Sequence, residues 1–380
     1  MIYKDFKGTP ISSLGFGTVR FPVLDGDDAR IDMKQAQTLV DQAIASGINY
    51  FDTGYQYHGK TAEKAMGTLL RKYPRESYLL GAKFPGYVPA YLPKVEEIYE
   101  EQLANLLTDY FDFYMIHNVS EPSIEGYLDP KNGVLAYLQA QKEAGRIGHI
   151  GFSAHGSAAT IRRFLEATNG QMEFGLLQIN YLDWFLQGAK DKVDVMNEFH
   201  LPIWVMEPLR GGRLTNLPDE EAAQLTACNQ GASIASWSFR FLQGIPGIQV
   251  VLSGMTYPNI LAENVATFSK ENPLTHEEQQ TLNKVVAKLL QDKTLPCTAC
   301  RYCVAYCPQK LDIPTLIQHY NNLSYGGSSF VSRGAISALP EESKPSACIG
   351  CGSCEAVCPQ QLEIAKAMAA CTELLNPKGA

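Results

Sequence analysis

Short apolar runs alternate with segments of helical period over most of this chain. The runs are LGFGTV (14–19), INYFDT (48–53), YLLGAKF (78–84), FDFYMIH (111–117), IGHIGFS (147–153), LLQIN (176–180), PIWVME (202–207) and IQVVLSG (248–254). Each is strand-like. Between them apolar residues recur at helical spacing, as at Met33, Ala36, Val40, Ala43 and Ile44, or at Ile161, Phe164 and Leu165. Eight βα units over about 270 residues predict an α/β fold, the (β/α)8 TIM barrel, whose active site lies at the strand C-termini. The opening IYKDFKGTPIS, centred on Lys7-Gly8-Thr9, reads as a hairpin ahead of the barrel. An open Rossmann sheet or two half-barrels fit less well, because GFGTVR lacks the third glycine of a dinucleotide fingerprint.

Composition adds limits rather than chemistry. The 380 residues are 45% hydrophobic and 19% charged, enough for one large domain and a small one. Net charge is −8, with no basic patch, which argues against nucleic-acid binding. No stretch approaches the roughly 18–20 apolar residues of a membrane helix, and MIYKDFKGTPISSLGFG has no signal-peptide core. A cytoplasmic protein with no membrane partner is expected. Nine of the ten cysteines lie between Cys297 and Cys371, too lopsided for a secreted disulfide framework.

Those cysteines carry the strongest motif. Cys297, Cys300, Cys303 and Cys307 are spaced C-x2-C-x2-C-x3-C and followed by Pro308; Cys348, Cys351, Cys354 and Cys358 repeat the spacing before Pro359. Three closely spaced thiolates converge on one cubane, and the fourth ligates the other cluster. Two 4Fe–4S clusters are expected, one on Cys297, Cys300, Cys303 and Cys358, the other on Cys348, Cys351, Cys354 and Cys307. Zinc ribbons use pairs of C-x2-C instead. Ala299, Gly350, Gly352 and Ser353 suit close approach of backbone amides to sulfur. The helix-like insert LDIPTLIQHYNNL points to a mainly α-helical ferredoxin-like domain. The expected domains are a barrel over 1–285 and a cluster domain over 286–380.

At the strand ends, Asp52, Lys83 and His117 close the second, third and fourth runs, with Tyr57 in the loop after Asp52. A lysine after YLLGA is buried at a cost unless a carboxylate pairs with it, and Asp52 is that partner. A paired Lys83 beside Tyr57 is expected to lower the phenol pKa. Tyr57 then acts as general acid toward a carbonyl, which His117 orients. Tyr55, Tyr87, Trp184 and Phe185 are candidates for the pocket wall.

The pieces GFGT (15–18), FDTGYQY (51–57), AKF (82–84), FYMIHN (113–118), GFS (151–153), QINY (178–181), EPL (207–209) and AENV (262–265) resemble the aldo-keto reductase superfamily, in family order. The whole chain resembles its bacterial branch with a C-terminal two-cluster extension. The resemblance implies NAD(P)H-dependent reduction of a small-molecule carbonyl through Asp52, Tyr57, Lys83 and His117. It implies nicotinamide-side contacts at Gly17, Thr18, Ser153 and Gln178, and a pyrophosphate loop over Met206, Glu207, Pro208, Leu209, Gly211 and Gly212. It implies an adenosine end at Ser253, Gly254, Met255, Glu263 and Asn264. Departures are Ala154 after Ser153, Met206-Glu207 in place of Tyr-Ser, and Gly254 and Ile260 where basic residues often clamp a 2′-phosphate. NAD against NADP is therefore open, and a flavin (FMN) in the same groove is the alternative. Clusters move single electrons and hydride moves two. Three functions follow: a carbonyl reductase with electron-transfer clusters, a flavin-mediated redox enzyme, or an electron carrier or redox sensor with a non-catalytic barrel. A ferredoxin or another electron carrier is the macromolecular partner such clusters would serve.

Overall fold

The computed structural model describes residues 1–295, 297, 300–325 and 330–376. Strands β1 (Tyr3–Phe6) and β2 (Thr9–Ser12) pair antiparallel across Lys7 and Gly8. Both turn residues have positive φ, 52° and 90°, the type I′ geometry that follows strand twist. The eight apolar runs then form β3 (Leu14–Gly17), β4 (Tyr50–Asp52), β5 (Leu79–Phe84), β6 (Phe111–Val119), β7 (Ile147–Ala154), β8 (Gly175–Gln178), β9 (Ile203–Met206) and β10 (Ile248–Ser253). They close in the order β10-β3-β4-β5-β6-β7-β8-β9, every pair parallel. β3 stops short of its run because Thr18–Arg20 coils into one 3-10 turn.

The barrel interior is filled by Tyr50, Phe113, Met115, Phe174, Leu176, Trp204, Val250 and Leu252, joined by Phe6 and Ile11 of the hairpin. Phe6 meets Phe113 and Trp204 edge-on at 5.4 and 5.1 Å, a geometry favoured by ring quadrupoles. The hairpin thus plugs the end where the strands begin and leaves the opposite end for chemistry. On the plugged side the Glu173 carboxylate accepts from Lys7 (2.5 Å), Lys142 (2.5 Å), His149 (2.9 Å) and the Ile150 amide (3.0 Å).

The chain separates into two compact units. The first is 1–180, 188–208 and 235–274; the second is 181–187, 209–234 and 275–380. The expected break at 285/286 falls inside the helix His276–Lys293, which starts at a Thr275/Glu278 capping box. The cluster-motif region is helical, with helices Ile313–Tyr325, Phe330–Ser337 and Ile364–Leu375 and two short ones, Tyr302–Ala305 and Ser353–Ala356. Its core includes Leu311, Ile313, Leu316, Ile317, Leu362, Ile364 and Met368, with Cys303 and Cys354. Ala299 lies outside the described residues. Among the described residues no helix is long and apolar enough to cross a membrane.

Candidate functional site

Strand ends assemble the barrel site. Gly17, Asp52, Gln178, Met206 and Ser253 are the last residues of β3, β4, β8, β9 and β10. Lys83 and Ser153 are penultimate in β5 and β7, and His117 lies near the end of β6. Lys83 Nζ donates to the Asp52 carboxylate and, at 2.7 Å, to the Thr53 carbonyl. The second Asp52 oxygen accepts from the Tyr50 hydroxyl at 3.3 Å. Lys83 Nζ lies 5.3 Å from the Tyr57 ring centroid, and the His117 ring meets Tyr57 edge-on at 6.0 Å. The four expected catalytic side chains therefore share one cluster. Gly54 permits it, since a Cβ there would sit 2.9 Å from Tyr57 Cζ.

Burial opposes the Lys83 ammonium, but Asp52 and then Tyr57 outweigh it and hold Lys83 above its ordinary value. Burial pushes the Tyr57 phenol upward, and Lys83 pulls it back without cancelling the effect. The expected lowering is corrected: Tyr57 is a neutral phenol with its proton in place. Burial, Lys83 and His155 drive His117 well below the usual imidazole value, leaving a neutral ring. Its Nδ1 is buried with no hydrogen-bond partner among the described residues. Such an arrangement can hydrogen-bond a carbonyl oxygen and pass it a proton.

Of the expected pocket-wall residues, Tyr87 meets His117 edge-on at 5.1 Å and donates its hydroxyl to Gln56. Tyr55 instead donates to Glu101 (2.6 Å). Trp184 and Phe185 lie on the short helix Asp183–Leu186 of the second unit, Phe185 exposed. Sequence reasoning missed Glu63, buried behind Lys83. Its carboxyl accepts from Gln102 (2.5 Å), whose Nε2 also donates to the Lys83 carbonyl (3.1 Å) and whose Oε1 accepts from Tyr114 (2.5 Å). Burial pushes Glu63 up to about 7. An acidic residue in a helix facing inward carries no sequence signal of its own.

The expected cofactor residues divide between the units. In the first, Thr18 donates its hydroxyl to Thr53 (3.0 Å). Ser153 Oγ accepts the Asn118 amide (2.8 Å), leaving its own proton to offer. Ser153 and Gln178 sit at neighbouring strand ends, a hydroxyl and a carboxamide whose chemistry suits a primary amide. The Glu207 carbonyl accepts from Asn180 (3.0 Å) and that of Pro208 from Ser238. Asn264 is buried and donates to the Ser253 hydroxyl (3.1 Å), Met255 is buried, and Glu263 is exposed. In the second unit, Leu209, Gly211 and Gly212 flank Arg210, which sequence reasoning passed over. Arg210 is fully buried, donates to Asn322 Oδ1 (3.1 Å) and lies 3.7 Å from Asp183.

The eight motif cysteines of the second unit face two cavities. One is lined by Cys297, Cys300, Cys303 and Cys358, with Pro314, Ile317 and Leu362; the other by Cys307, Cys348, Cys351 and Cys354, with Leu311, Ile313 and Met368; Ile364 borders both. The grouping follows a pseudo-repeat. CPQKLDI (307–313) and CPQQLEI (358–364) correspond, and left-handed residues recur at Arg301 and Gly352 (φ 65° and 72°) and at Lys310 and Gln361 (φ 54° and 52°). Burial and the neighbouring thiols raise Cys303, and burial lifts Cys354 to about 11.

The sequence model of the Aldo/keto reductase family matches residues 13–287, and that of the 4Fe-4S dicluster domain matches residues 296–363. Similar proteins include L-galactose dehydrogenase of Arabidopsis thaliana, 24% identical over 76% of this chain and 93% of that protein. NADH-specific methylglyoxal reductase of Escherichia coli is 28% identical over 54% of this chain and 66% of its own length. Among solved structures, the holo form of aldo-keto reductase AKR11C1 from Bacillus halodurans superposes with a TM-score of 0.59 at 22% identity, over 73% of this chain and 93% of that one. The thermostable aldo-keto reductase Tm1743, bound to epalrestat, gives a TM-score of 0.61 at 22% identity, over 75% of this chain and all of that one.

Proposed function

Because this chain belongs to the aldo/keto reductase family and carries a 4Fe-4S dicluster domain, we propose that this oxidoreductase reduces a small-molecule carbonyl with NAD(P)H. When bound, the reduced nicotinamide supplies a hydride. The chain's own residues do the rest. Ser153 and Gln178 hold the carboxamide, while His117, neutral, orients the carbonyl oxygen. Tyr57 gives that oxygen its proton, and Lys83, kept charged by Asp52, stabilises the phenolate left behind. The observation that carries the reading is the buried Lys83–Asp52 pair beside Tyr57 and His117. Tyr57→Phe removes the proton and is expected to cost about 10²–10⁴-fold in kcat, measured as NAD(P)H oxidation over a panel of aldehydes and ketones. Undiminished turnover would refute Tyr57 as the acid.

We read residues 1–285 as the reductase and 286–380 as its cluster-bearing part. Cys297, Cys300, Cys303 and Cys358 hold one 4Fe–4S cluster, and Cys307, Cys348, Cys351 and Cys354 the other, for exchange with a ferredoxin or similar carrier. Iron and sulfide analysis of anaerobically reconstituted protein should give eight irons per chain. Met206-Glu207, where an aromatic would stack on nicotinamide, favours a second reading with flavin in the groove. Acid release of one fluorescent flavin per chain would replace the simple reductase with that reading.

A further inference from the structure

The loop after β10, SGMTYPNILAEN (253–264), contains no lysine or arginine, although a dinucleotide brings phosphates. A cation reaches it from elsewhere. A Cβ built on Gly254 would lie 2.5 Å from Arg20 Cγ and 2.7 Å from Arg20 Cβ, so the Arg20 stem occupies the space that a side chain at 254 would fill. The contact is fixed by backbone as well. Phe16 and Ser253 pair in the β3–β10 register, and the Thr256 hydroxyl donates to the Arg20 carbonyl at 3.0 Å. Arg20 is exposed, and its side chain enters no hydrogen bond or ion pair among the described residues. The acids that follow it in sequence are engaged elsewhere, Asp25 with Arg30, Asp27 with the Ala29 amide and Asp28 with His58.

We infer that Arg20 is the phosphate-binding cation of the dinucleotide site, delivered from the first βα loop across Gly254 in place of a basic residue in the last. The inference rests on the NAD(P)H reading above. A guanidinium matches two phosphate oxygens at once, and a stem laid along backbone holds the head in place with less freedom to lose.

The test is isothermal titration of NADPH and NADH into anaerobic, cluster-replete protein. Arg20→Gln should weaken binding about tenfold or more, as expected for a lost charge-assisted hydrogen bond, and Arg20→Lys should recover part of it. Gly254→Ala, which pushes the stem away, should also weaken binding, and should add nothing in an Arg20→Gln background. Loss confined to NADPH assigns Arg20 to the 2′-phosphate; equal loss for both dinucleotides assigns it to the pyrophosphate. Unchanged affinity for both in Arg20→Gln overturns the inference while the cofactor reading stands. A wild-type protein that binds neither dinucleotide overturns both.

Discussion

Replacing Asp52 by Asn would leave Lys83, 1% exposed, as a buried ammonium without its counter-charge. Removing one partner of a buried pair costs about 3–5 kcal/mol. An exposed pair such as Lys190–Asp194 contributes far less, because solvent screens it. The pH dependence gives a sharper signature. In the wild type Lys83 is held above 10.5, so its contribution is complete below that value and fades only as pH rises through the raised one. In Asp52→Asn the largest opposing influence is gone, and burial pulls Lys83 below its ordinary value. The penalty is then largest below the lowered value and eases as pH rises through it. The stability gap between wild type and variant should therefore narrow as pH rises from the lowered value toward the ordinary lysine value. Urea unfolding followed by the fluorescence of Trp204 and Trp237, both fully buried in the first unit, reads the gap. The double variant Asp52→Asn/Lys83→Met should regain most of the loss. A deficit under about 1 kcal/mol, or one that does not change with pH, would refute the buried-pair reasoning.

Gly54→Ala pushes a methyl into the Tyr57 ring and should cut kcat about 10²-fold with a change in melting temperature of only a few degrees; stopped-flow and thermal melts separate the two effects. Glu173→Gln should cost about 1–2 kcal/mol near neutrality, discounted because Lys7 is half-exposed. Burial alone would raise the Glu173 carboxyl, but His149, Lys142 and Lys7 hold it far below 4.5. Its contribution is thus present above that value and lost as pH falls, and acid titration of stability should show wild type and variant converging. Cys303→Ser and Cys307→Ser, close in sequence, should damage different clusters, whereas Cys307→Ser and Cys348→Ser should damage the same one. Electron paramagnetic resonance of the reduced protein distinguishes them, and identical spectra for Cys303→Ser and Cys307→Ser would defeat the crossed assignment.

The strands are legible because each is a compact apolar run bounded by polar turns, and the clustering of Asp52, Tyr57, Lys83 and His117 because a barrel aims neighbouring strand ends into one cleft. The Tyr57 phenol was misread because its pKa balances burial against charge, and a loop tyrosine does not reveal its burial. Lys83 beside it was visible; the surrounding desolvation was not. Arg210 and Glu63 escaped because their partners, Asn322 and Gln102, are distant in sequence and ordinary in type. Gly254 stands out in the sequence where a cation is missing, but Arg20 does not, since only the β3–β10 pairing brings the two together.

The crossed cysteine sets have a topological consequence. Each half of the pseudo-repeat contributes three walls to one cavity and the fourth to its neighbour, so the halves are interlocked like two links, each closed by a piece of the other. On the proposed assignment, losing the segment around Cys358 would open the cavity built by the first motif as well as its own half, so a variant lacking either whole motif should load neither cluster in full, whereas a single cysteine variant spares one.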